Sequence, residues 1–67
     1  MKSFEIVVPY FVAESPRQLT LRVRASCLEE AKTVAANRAV VVRPLLGSGV
    51  TFPGGRPHPD LAPNRAA

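Results

Sequence analysis

Glycine is absent from the first 46 residues of this chain, tryptophan is absent altogether, and cysteine and histidine occur once each. Each absence removes a class of explanation. One cysteine excludes an internal disulfide, and one Cys with one His falls short of the roughly four ligands of a structural zinc site. No apolar run approaches the ~18 residues of a membrane span. The N-terminal MKSFEIVVPYFV carries a lysine before an apolar stretch, but Glu5 and Pro9 interrupt it, so a secretory signal is not expected. A non-secreted, non-membrane protein of a reducing compartment, cytoplasmic or part of a virion, is the expectation. The glycines of GSG and GG are not followed by Lys-Ser or Lys-Thr and are not set between a strand and a helix, which excludes a phosphate loop.

With 67 residues the chain makes at most one domain. Chains of this size bury only roughly 60% of their unfolded surface and often need a disulfide, a metal or another chain. The first two are excluded above, so association with another chain is the expected source of further stability.

The plainest pattern is LTLRVRA, residues 19–25, where Leu19, Leu21, Val23 and Ala25 alternate with Thr20, Arg22 and Arg24. Alternation is the period of a strand with one buried face. A second strand is expected over residues 3–12, with Phe4, Ile6, Val8, Tyr10 and Val12 on one face. AESPRQ between them reads as the turn, and pairing Val12 with Leu19 and Ile6 with Ala25 makes the apolar faces coincide. Pro9 cannot donate to a ladder, so its side of strand 1 is expected to point away from strand 2 and to be a poor place for a third strand. The free edge of strand 2 is the better one.

A helix is expected next. Ser26 and Glu29 fit a capping box, and Leu28, Ala31, Ala35, Ala39 and Val42 form one stripe widened by Cys27, Val34 and Val41. Pro44 limits the helix, and Arg43 before it is expected to leave helical geometry. Val40–Val42 could form a short strand instead; continuous helix is the expectation. The fold is therefore α+β, a small ββα unit over residues 1–44, followed by an extended Gly/Pro-rich tail or arm over residues 45–67. That tail holds all four glycines and four of the seven prolines. With no pattern of its own, it is expected to lie along a partner through Leu45, Leu46, Val50, Phe52 and Leu61.

Catalytic, cofactor and metal sites are not expected. Cys27 has no resolving cysteine and is read as a small, partly buried side chain; His58 lies between prolines in the tail; Glu29 and Glu30 point to different sides of a helix. Nine Lys and Arg against five Asp and Glu give a net charge of +4, which suits nucleic acid or an acidic surface as partner. The candidate nucleic-acid-binding residues are Arg22, Arg24 and Phe11 on the outer hairpin face, with Lys32 and Arg38 on the helix. Glu5, diagonal to Arg24, is within reach of an ion pair there. The order hairpin, then ASCLEEAK at residues 25–32, resembles the partial double-stranded-RNA-binding-like fold of HicB-type antitoxins over that stretch alone, and no function is carried from it. The leading expectation is a non-enzymatic structural subunit, such as a capsid-decorating or cementing protein of a phage virion, partnered by other protein subunits or copies of itself. The alternative is a small basic nucleic-acid-binding regulator.

Overall fold

The two alternating segments pair as an antiparallel hairpin, β1 (Lys2–Val12) and β2 (Ser15–Ala25), in the computed structural model, which describes residues 1–63. The register differs from the expected one. Ile6 faces Leu21, Val8 faces Leu19 and Phe4 faces Val23, a displacement of four residues. Four is even, so the apolar faces still coincide, and face matching alone did not discriminate between the two pairings. The turn decides. Only Ala13 and Glu14 are left outside the strands, and Ser15, Pro16, Arg17 and Gln18 belong to β2.

Ala13 has φ 55°, a left-handed conformation at the first central position of a two-residue hairpin, where glycine is the favoured residue. Ala13→Gly is therefore expected to stabilise the fold by about 0.5–1 kcal/mol, the relief of left-handed strain outweighing glycine's extra entropy. A thermal melt checks this, and a lowered midpoint would contradict it.

The two-residue loop also fixes where the backbone groups point. Val12 and Ser15 close the turn as a bonded pair, so even residues of β1 bond to odd residues of β2. Odd residues of β1 and even residues of β2 turn their N–H and C=O groups to the two outer edges. Accordingly, the Glu5 carbonyl accepts from the Ala62 N–H at 2.7 Å, and the Ala13 N–H donates to the Gly49 carbonyl at 3.2 Å. Pro9 thus lacks its N–H on the side away from β2, as expected.

That side is nevertheless occupied, which corrects the expectation for strand 1. Two short strands of the tail, β3 (Val50–Thr51) and β4 (Asp60–Leu61), pair with it. β3 pairs with Phe11 and Val12, and β4 with Ile6 and Val7. Pro9 falls in the gap between them, so the missing donor interrupts the outer ladder without preventing it. Among the described residues, the outer edge of β2 carries no strand.

The helix α1 runs Leu28–Val42, continuous through the valines. Its start is one residue later than the capping-box reading. Cys27 is the N-cap and supplies no side-chain bond. Glu30, not Glu29, reaches back: it accepts from the Ser26 N–H at 3.2 Å and the Ser26 hydroxyl at 3.0 Å. Glu30 is the third helical residue from this cap, the position from which a carboxylate can return to the start of the helix. Arg43 stays helical at φ −49°, ψ −44°, contrary to expectation, and opens a 3-10 turn, Arg43–Leu46, with Pro44 in its first turn, where a missing N–H costs nothing.

The core lies between the sheet and α1. Ile6, Val8, Val23 and Ala25 meet Ala31, Ala35 and Ala39, and Phe52 closes the cluster. Val50 is also buried. Two of the residues expected to anchor the tail on a partner therefore sit in this chain's own core. The change of character after Pro44 is a change in chain composition, and packing continues across it. The last four residues of the expected tail, 64–67, lie outside the described residues.

Candidate functional site

The outer face of the sheet, opposite α1, carries odd residues of β1 and even residues of β2. Ser3 stands opposite Arg24, Glu5 opposite Arg22, Val7 opposite Thr20, and Phe11 opposite Pro16. Arg22 donates from its guanidinium to the Glu5 carboxylate at 3.4 Å. The expected partner was Arg24; the four-residue displacement of register exchanges one arginine for the other. Both ends of this pair are well exposed, so its contribution to stability is small.

The same displacement takes Phe11 away from the arginines. It lies six residues along β1 from Glu5, about 20 Å at strand rise. Lys32 and Arg38 are on α1, beyond the opposite face of the sheet. Lys32 reaches toward Asp60 of β4, with Nζ and Oδ1 3.8 Å apart. Arg38 is exposed. Of the five residues expected to form a basic and aromatic surface, the fold brings only Arg22 and Arg24 together.

The five expected tail anchors separate likewise. Val50 and Phe52 are buried, Leu46 is half-buried, and Leu45 and Leu61 remain 85% and 49% exposed. Leu61 borders a shallow hollow on the outer face with Ser3, Glu5, Val7 and Thr20. In its described lining the carboxylate of Glu5 faces Arg22. Cys27 is exposed at the helix start, where a partly buried side chain was expected. Among the described residues, no group of three or more His, Cys, Asp and Glu side chains is placed to hold a metal ion. No helix among them is long and apolar enough to cross a membrane.

The remaining feature is the open side of the sheet. β2 is 11 residues long, and its even residues turn their backbone groups outward. Pro16 has no N–H to offer, which leaves the donors of Gln18, Thr20, Arg22 and Arg24 along one line. Beneath this edge, on the helix side, Leu19 and Leu21 are only half-buried, although both pack against the core. Above it is one flank of α1. The Lys32–Asp60 contact places Lys32 on the flank over β1 and β4; at ~100° per residue, Val34 and Val41 lie on the other flank, toward the open edge. Val41 is 75% exposed. The open side thus combines a row of backbone donors and acceptors with apolar side chains from both layers. Sequence reading also named the β2 edge, but on the premise that Pro9 keeps strands off β1, which β3 and β4 contradict. It missed the burial of Val50 and Phe52, for which no periodic signal exists in so short a pairing.

Compared with protein-family models, curated proteins and solved structures, the chain has no significant match in any of the three.

Proposed function

We propose that this chain is a non-enzymatic structural subunit of a larger assembly, of the type that decorates or cements a phage capsid. One observation carries the reading: an 11-residue strand with an open edge, bordered by apolar side chains. Long edges of this kind template the addition of another strand, and proteins that stay monomeric blunt them. Among the described residues, the tail covers the β1 edge and no strand lies on the β2 edge. Docking therefore belongs to β2 and the adjoining flank of α1, with Leu45 and Leu61 as outlying contacts. The alternative, a nucleic-acid-binding regulator, rests on Arg22 and Arg24 alone, because Phe11, Lys32 and Arg38 are directed elsewhere and Glu5 offsets Arg22.

Photo-crosslinking distinguishes the two. A photoreactive p-benzoylphenylalanine in place of Gln18 sits on the edge without disturbing the core. In cells making the assembly it is expected to join the chain to another polypeptide. If position 18 instead captures only nucleic acid, and the capture falls steeply with salt and is lost on changing Arg22 and Arg24 to Ala, the assembly reading is wrong.

A further inference from the structure

We infer that the open side of β2 is filled by β2 of a second copy, antiparallel about a two-fold axis passing at Leu21. This rests on the reading of that edge as a docking surface and names its occupant. Three features of the surface are compatible with a self-complementary partner.

The first is the edge itself. Two copies of one strand pair about a two-fold axis with outward-pointing residues opposite each other, here even with even. An axis at Arg22 sets Arg22 against its own copy, and an axis at Val23 sets Arg22 against Arg24. Like charges directly opposite are destabilising. An axis at Thr20 or earlier brings Pro16, which has no N–H, into the ladder. At Leu21, Arg22 faces Thr20 of the second copy and Arg24 faces Gln18. That register alone avoids both penalties while engaging all four donors.

The second is the layer beneath the helix. With the axis at Leu21, this residue meets its own copy, and Leu19 meets Val23, in the close non-bonded positions with Cα atoms about 4.5 Å apart. The half-exposed leucines are thereby covered.

The third is the helix. α1 packs on β1 and β2, and more lightly on β4. The two-fold axis lies beyond β2, on the side of α1 that carries Val34 and Val41, so these flanks of the two copies turn toward each other. Val41, 75% exposed in one copy, then faces the second.

The test is made on the full chain carrying Cys27→Ser, with an added Leu21→Cys. Cysteines at the axis are within disulfide reach, so Leu21→Cys is expected to crosslink to its own copy on mild oxidation. Val23→Cys alone is expected not to, but to crosslink when mixed with Leu19→Cys. Sedimentation equilibrium of the unmodified chain is expected to give twice 7.2 kDa. Thr20→Pro removes an outward N–H that bonds nothing within the described residues of one copy. Symmetry removes it twice, so dimerisation is expected to weaken about tenfold or more. Circular dichroism of this variant verifies its fold, and Val41→Arg is a second disruption away from the backbone. A monomer at millimolar concentration overturns the inference. So does a dimer indifferent to Thr20→Pro and Val41→Arg in which Leu21→Cys fails to crosslink. A monomer that still crosslinks from position 18 to a different polypeptide overturns the second copy as occupant while leaving the assembly role standing.

Discussion

Ending the chain at Gly49 is expected to abolish cooperative folding, and Phe52→Ala alone to cost about 3–5 kcal/mol. A domain of 67 residues has on the order of 3–10 kcal/mol of stability. Phe52 is 8% exposed and belongs to the main core cluster; Val50 beside it is 2% exposed. Removing both, with the two strands that close the β1 edge, deletes more than the remaining hairpin and helix hold in reserve. A two-stranded sheet under one alanine-lined helix is otherwise at the limit of independent stability. Ending the chain at Gly55 instead keeps Val50 and Phe52 and removes, among the described residues, β4, the Ala62–Glu5 hydrogen bond and the contact of Asp60 with Lys32, so that protein is expected to fold with a lower melting midpoint. Far-UV circular dichroism during heating reads both truncations. A protein of residues 1–49 that melts as cooperatively as the whole chain would show that the tail is an appendage, and the packing account given above would be wrong.

What the sequence disclosed followed the strength of its periodic signals. LTLRVRA and the Ala31–Ala35–Ala39 stripe are long enough to repeat, and both elements form with the expected faces buried. The hairpin register was not legible, because any even displacement preserves the faces. Only the turn discriminates, and Ala13-Glu14 lacks the Asn-Gly or Asp-Gly signature that would mark it. The destination of the tail was not legible either. β3 and β4 pair over two residues each, too few for a period, and their attachment depends on the shape of a core assembled from elsewhere. The consequence for the candidate site is direct. With the register displaced, Phe11 leaves the arginines and Glu5 gains Arg22; with the tail docked, Val50 and Phe52 leave the list of residues free to meet a partner. The proposed interaction surface therefore moves from the arm to the open side of β2.

The alanine face of α1 sets how closely the helix approaches the sheet, and Ala35→Asp is expected to unfold the protein at neutral pH. Ala31, Ala35 and Ala39 are fully buried against Ile6, Val8, Val23 and Ala25. A carboxylate introduced at Ala35 finds no buried polar residue among the described residues to receive it. The effective penalty for an unpaired buried ion is several kcal/mol, of the same order as the whole stability. Desolvation raises such a carboxyl above its unfolded value of about 3.9. The folded state then binds the proton more tightly, so stability is greatest below the unfolded pKa and is lost as pH rises through the folded one. The variant is accordingly expected to recover helical signal as pH falls toward the carboxylate range, while the unmodified protein has no such dependence from this site. Val40→Asp, on the same helix at a position 56% exposed, is expected to stay within about 0.5 kcal/mol of the parent. If both variants melt alike, α1 does not bury its alanine stripe. If only Ala35→Asp collapses, the thin core is held by close approach of small side chains, and the apolar residues left outside it on the β2 side remain available for a second molecule.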